Sequence, residues 1–196
     1  DIGNQEILNE LSRATNDISQ GELIQLDAIN NENISLNKLK KISYFKTGRL
    51  FEASARTGAL LVNADKKYIK NISECAKNIG ILFQIKDDLL DYSFNKKMGK
   101  PLFQDLKEGK ITYPFYFAYK NAKSSEKKIL LNFLGNQRIN ADKVLEVIKN
   151  LQGIRKTELL AEQFHKNAII FAGGIKNLKV KKEMIELTNI AYNRDK

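Results

Sequence analysis

Between residues 65 and about 91 or 92 the chain carries apolar residues at helical spacing and then ends that helix in acid. Ile69, Ile72, Ala76, Ile79 and Phe83 make one apolar face, and a neighbouring stripe runs Ala76, Gly80, Gln84, Asp87 or Asp88, Asp91. The second stripe starts small and finishes polar, as it would if the last turns of a long helix lined a wet cavity. Gly80 costs about 1 kcal/mol relative to alanine within a helix. Close helix packing or room for a bound molecule would explain it. Only two prolines and no tryptophan occur in the 196 residues, so long uninterrupted helices are permitted.

The helix closes on Phe83-Gln84-Ile85-Lys86-Asp87-Asp88-Leu89-Leu90-Asp91. Asp87 and Asp91 stand at i and i+4, and Asp88 and Asp91 at i and i+3, so three carboxylates crowd one face. Like charges so placed weaken a helix unless something positive sits between them. A hard divalent cation suits that role. Mg²⁺ prefers oxygen ligands, keeps several waters, and usually takes only one or two protein carboxylates plus substrate phosphates. A solvated acidic helix end is the plain alternative for a bare DDxxD.

Helical period dominates the rest of the chain, and no strand pattern stands out. Residues 4 to about 29 read as a first helix with Ile7, Leu11, Ala14, Ile18 and Gly21 in one stripe, followed by a polar break at 30–33. Ser35 is placed to cap a second helix running to about residue 62. Its stripe is Leu39, Ile42, Lys46, Leu50, Ala53, Thr57, Leu60. Lys46 therefore points where a core residue is expected, and a buried ammonium requires an anion or a route to water. Snorkelling is the simpler reading. Residues 93–110, with Gly99, Pro101 and Gly109, form the longest loop, and its length suits a functional segment. Shorter helices follow over 112–121, with Pro114 in the first turn, and 125–134, capped by Gly135. Three more cover 141–151, ending near Gly153; 157–171, stopping at Gly173-Gly174; and about 178–194. The expected fold is a single all-α domain over 1–196, a bundle of long antiparallel helices.

Composition narrows the partners. The net charge of +10 calls for an anionic partner or serves solubility. The lysines are scattered, and no zinc-finger spacing, RNP-like aromatic motif or Gly-rich phosphate loop accompanies them, so nucleic acid is not expected. The single cysteine, Cys75, excludes an intrachain disulfide, suits a reducing, cytoplasmic compartment, and among Ile72, Ala76 and Ile79 reads as buried packing. No apolar run approaches the ~20 residues needed to span a bilayer. His165, the only histidine, has no second ligand in sequence reach and reads as a partly exposed helix residue. The aromatics Tyr113, Phe115, Tyr116, Phe117 and Tyr119 read as packing, one or two of them beside an apolar tunnel.

Gly99-Lys100-Pro101 follows the acidic run, then Asp105-Leu106-Lys107-Glu108-Gly109-Lys110-Ile111-Thr112-Tyr113-Pro114. Tyr44-Phe45-Lys46-Thr47-Gly48-Arg49-Leu50 precedes it. Together these segments resemble the trans-prenyltransferases, the head-to-tail isoprenyl diphosphate synthases. In that family the second aspartate-rich motif reads FQ-x-x-DD-x-x-D. A GK-containing loop with D-L-x-E-G-K-x-T-x-P follows it, and a helix carrying Lys-Thr precedes it. The likeness covers essentially the whole chain. The segments Gly21-Glu22-Leu23-Ile24-Gln25-Leu26, Lys46-Thr47-Gly48-Arg49-Leu50-Phe51-Glu52-Ala53 and Asn193-Arg194-Asp195 are most similar to the octaprenyl and other long-chain members.

The resemblance implies an isoprenoid-synthase bundle around a central cavity, a homodimer, and possible peripheral membrane contact for product release. It implies ionisation of an allylic diphosphate, attack by isopentenyl diphosphate and loss of a proton, giving a longer polyprenyl diphosphate such as a quinone side-chain precursor. Asp87, Asp88 and Asp91 are then the Mg²⁺ ligands, in first or second shell. Lys46, Lys100 and Lys110 hold the diphosphate, while Thr47 and Gln84 face the reacting carbons. Arg49 is expected to be structural. The family's first aspartate-rich motif and its N-terminal helices find no match in these residues. The chain is therefore expected to be the remainder of a longer protein, with a split or decayed homologue as the alternative. Its helices alone are expected to leave an apolar face uncovered. A non-catalytic subunit or inactive fragment is the alternative function.

Overall fold

A computed structural model describes residues 3–93, 103–136, 138 and 140–194. Ten α-helices and one π-helical turn make up the regular structure of the described residues, and no strand occurs among them. In chain order they are α1 (Gln5–Leu26), α2 (Leu36–Ser43), the π turn (Tyr44–Gly48), α3 (Arg49–Leu61), α4 (Lys66–Leu90) and α5 (Gln104–Lys107). Then come α6 (Tyr113–Asn121), α7 (Ser124–Leu131), α8 (Ala141–Asn150), α9 (Gly153–Gly173) and α10 (Leu178–Tyr192).

The all-α expectation holds, and α4 is the axis of the bundle. Asp65 caps it by accepting the Tyr68 amide at 2.8 Å. It packs against α2, the π turn, α3, α6, α9 and α10, and that encirclement buries more of it than one stripe. Cys75, Leu82 and Ile85 have no exposed surface at all. Burial pushes the Cys75 thiol up to about 11, as expected of inert packing. His165 lies half-buried, with Nε2 2.9 Å from Asn189 Oδ1.

Several expectations need correcting, among them the 93–110 loop, whose described part carries the short helix α5. In α1 the buried row is Ile7, Glu10, Ala14 and Gly21, and Leu11 is 47% exposed. The acid is inside because Arg49 meets it there. Arg49 Nη1 lies 2.6 Å from Glu10 Oε1 and Nε 2.8 Å from Asp17 Oδ2. Burial pulls the Arg49 pKa down, but these two carboxylates outweigh it and raise it above its ordinary value. Removing one member of such a buried set typically costs about 3–5 kcal/mol.

A further correction follows from this Arg49 pairing. The helix expected to run unbroken to residue 62 is interrupted by the π turn, and Arg49 takes the inward position after it. Leu50 is thereby rotated to 56% exposure. Another concerns Gly153, which opens α9 and does not close α8. A Cβ there would fall 2.3 Å from Pro114 O, so glycine is needed for α9 to start against α6. Helix α7 also ends at Leu131, and Gly135, with φ of +70°, closes the turn beyond it.

An apolar groove of about 510 Å³ runs between α3, α4 and α10, lined by Leu50, Phe51, Phe83, Met184, Leu187 and Ile190 with others. Leu50, Leu187 and Ile190 are all more than half exposed along it. No described helix is long and apolar enough to cross a membrane.

Candidate active site

Glycines bring the site together. A Cβ on Gly80 would come within 2.7 Å of Gly48 Cα, and one on Gly21 within 2.8 Å of Lys46 N. Helices α1 and α4 can therefore clamp the π turn from two sides. Single π turns in long helices recur at functional sites, and this one carries Lys46 and Thr47.

A chain of hydrogen bonds leads from that turn into the acidic end of α4. Thr47 Oγ1 donates to Gln84 Oε1 at 2.8 Å, and Gln84 Nε2 donates to Asp88 Oδ1 at 3.0 Å. The Tyr113 amide reaches Asp88 Oδ2 at 3.3 Å, and the Tyr113 hydroxyl lies 2.9 Å from Ser43 Oγ. Asp88 is only 7% exposed. Burial pushes its carboxyl up to about 8, with the charges of Asp105 and Asp87 acting the same way against the two hydrogen bonds.

The two lysines are paired rather than bare. Lys46 Nζ donates to Gln25 Oε1 at 2.6 Å and lies 3.3 Å from Glu22 Oε2, with about a third of its side chain exposed. It thus has both an acceptor and a route to water. Lys110 Nζ lies 2.7 Å from Glu108 Oε2 and 3.6 Å from Asp105 Oδ1. Burial lowers the Lys110 pKa, but these carboxylates outweigh it and the net shift is upward.

Lys46, Gln84, Asp87, Asp88 and Lys110 all line one cleft of about 120 Å³, together with Gln25, Asp105 and Tyr113. Thr47 stands one hydrogen bond behind it. Asp91 is used differently. It accepts the amides of Gln104 at 2.9 Å and Asp105 at 3.3 Å, capping α5, and it is not among the cleft-lining residues. Burial and the Asp105 charge push it up to about 6. Lys100 lies outside the described residues.

Asp105, Glu22, Gln25 and Arg194 join the charges of the site without a place in the set expected from sequence. Asp105 opens the D-L-x-E-G-K motif, which was signal enough to nominate it. Burial raises its pKa, with Lys110 opposing and Asp87 adding to the shift. Arg194 stacks 4.1 Å from the Phe83 ring centroid and lies 3.6 Å from Asp87 Oδ1. Nothing near it in sequence announces that contact.

The donor set fits a hard cation. Asp87, Asp88 and Asp105 offer carboxylate oxygens to one cleft, and their mutual repulsion contributes to the raised values at Asp88 and Asp105. Among the described residues no three such groups converge as a ready-made cage. Mg²⁺ needs none, because waters and phosphate oxygens complete its shell.

Known proteins share both the pattern and the fold. Octaprenyl diphosphate synthase of Escherichia coli (strain K12) is 30% identical over all of this chain, which covers 61% of that protein. A decaprenyl diphosphate synthase from Rhodobacter capsulatus superposes with a TM-score of 0.92 at 24% identity, over 100% of this chain and 61% of that one. A polyprenyl synthase from Caulobacter crescentus CB15, complexed with calcium and isoprenyl diphosphate, gives 0.89 at 26% identity, over 98% and 60%. The chain thus spans about three fifths of the length of these relatives. The sequence pattern of the polyprenyl synthetases fits residues 1–151, taking in the Lys-Thr turn, the acidic end of α4 and the motif after it, and on that match the chain belongs to the polyprenyl synthetase family.

Proposed function

We propose that this chain supplies the diphosphate-ionising half of a Mg²⁺-dependent trans-polyprenyl diphosphate synthase. The enzyme would condense isopentenyl diphosphate with an allylic prenyl diphosphate into a longer chain of the kind attached to quinones. One observation carries the reading: a single cleft lined by Asp87, Asp88 and Asp105 together with Lys46 and Lys110. The Caulobacter relative, complexed with calcium and isoprenyl diphosphate, supports the same pairing of divalent cation and diphosphate.

Diphosphate leaves poorly unless its developing charge is neutralised. Asp87 and Asp88 would hold Mg²⁺, with Asp91 behind them bracing the α5 loop, and the ion would supply that neutralisation. Lys46 and Lys110 would add two point charges to the diphosphate oxygens. Glu22 and Glu108, the carboxylates nearest these lysines, are open enough to water that diphosphate oxygens could replace them. The Thr47 hydroxyl and Gln84 carbonyl, fixed to each other and to Asp88, would turn their oxygens toward positive charge building on the allylic carbons. The released diphosphate would accept the proton, so no histidine is required. Lys100, a homodimer, a cytoplasmic location and peripheral membrane contact belong to the same proposal.

The test is incorporation of labelled isopentenyl diphosphate by the whole protein that carries this chain, with an allylic diphosphate and Mg²⁺. A longer polyprenyl product is expected, with turnover lowered by orders of magnitude in Asp88→Asn. Unchanged turnover in that variant would overturn the metal assignment.

A further inference from the structure

One buried charge beside the cleft has no part in that chemistry. Arg49 follows the π turn directly, and only 7% of its side chain is exposed. Besides Glu10 and Asp17 on α1, its Nη1 lies 3.5 Å from Glu52 Oε2. Glu52 in turn accepts the Tyr44 hydroxyl at 2.5 Å. Tyr44 is the first residue of the π turn, so one ion cluster grips the turn at both ends. Between the grips sit Phe45, Lys46, Thr47 and Gly48.

A plain joint between α1 and α3 would not need charge, because apolar pairs of similar volume often serve as well or better. A guanidinium fork adds fixed angles. It meets partners on two helices through different nitrogens at once, which a lysine ammonium on a flexible stem does not. Helix α1 also supplies Glu22 and Gln25 to Lys46, so the helix that Arg49 grips through Glu10 and Asp17 also furnishes the partners of that lysine.

We infer that Arg49 is a positioning residue for the diphosphate site. Through Glu52 and Tyr44 it fixes the register of the π turn, and with it the reach of Lys46 into the cleft and of Thr47 onto Gln84. The inference rests on the reading of the cleft as a diphosphate site.

The test titrates inorganic pyrophosphate with Mg²⁺ calorimetrically, well below the melting temperature, into wild type and three variants. Arg49→Lys keeps the charge and loses the fork. Tyr44→Phe removes only the link from Glu52 to the turn. Val144→Ala, in α8 and outside the cleft, is a control for general loosening, since Val144 is fully buried. Arg49→Lys is expected to weaken pyrophosphate binding at least tenfold, and Tyr44→Phe to weaken it in the same direction. Val144→Ala should lower the melting temperature without changing affinity. Wild-type affinity in either Arg49→Lys or Tyr44→Phe would overturn the inference, and so would an equal loss in Val144→Ala. If Arg49→Lys does not fold, Tyr44→Phe decides alone. If wild type binds no pyrophosphate, the reading of the cleft fails and this inference falls with it.

Discussion

At Asp88 the carboxyl accepts hydrogen bonds from Gln84 and Tyr113, yet burial still lifts it from 3.8 to about 8. Between those values the folded protein holds a proton that the unfolded chain has released. The free energy of unfolding therefore falls as pH rises through that window. Asp91, raised to about 6, adds to the fall over the lower part. The metal-free protein is thus expected to melt at lower temperature near pH 8 than near pH 5. Asp88→Asn should flatten the decline, because a neutral amide has no proton to lose. Melting curves of both proteins across that range check this, and equal slopes would contradict it. That Asp87, Asp88, Lys46 and Lys110 would share one cleft was legible in sequence because motif spacing names residues directly. The role of Asp91 was not. Its place in DDxxD gives no hint that the backbone of residues 104 and 105 claims both its oxygens.

Helix α4 was readable nearly to the residue, since its cap, its stripe and its acidic end are all local signals. The rod from α2 to α3 was not. Periodicity counts residues and takes every turn as equal, so a π turn passes unseen and Leu50 is assigned to the core. What decides the matter is a long-range pairing of Arg49 with Glu10 and Asp17. Gly80 shows the opposite case, a local oddity that anticipated a real contact. Its packing predicts that Gly80→Ala, which would improve helix propensity alone, destabilises the protein. A Cβ within 2.7 Å of Gly48 Cα and 3.1 Å of Phe51 Cβ must push the π turn away, at a cost of about 1–3 kcal/mol. Denaturant titration measures it, and a stabilised Gly80→Ala variant would refute the account of the clamp.

For the whole molecule, the all-helical class followed from period and the scarcity of proline, whereas the order of packing around α4 had no sequence signature. The same helix borders two different spaces. Asp87, Asp88 and Gln84 line the polar cleft, and Ala76, Ile79 and Phe83 line the apolar groove. That division would suit the proposed substrate, with its anionic head and hydrocarbon tail, and only the head is tied to identified charges. The central claim therefore concerns the head. Its most direct test is the melting temperature with Mg²⁺ alone, pyrophosphate alone, and both together. A ligand that binds only the folded state raises stability by about 2.7 kcal/mol at a hundredfold excess over its Kd. The account predicts a clear upward shift in wild type only when both are present, and none in Asp88→Asn or Lys46→Met. An equal shift with pyrophosphate alone, or an undiminished shift in either variant, would contradict it.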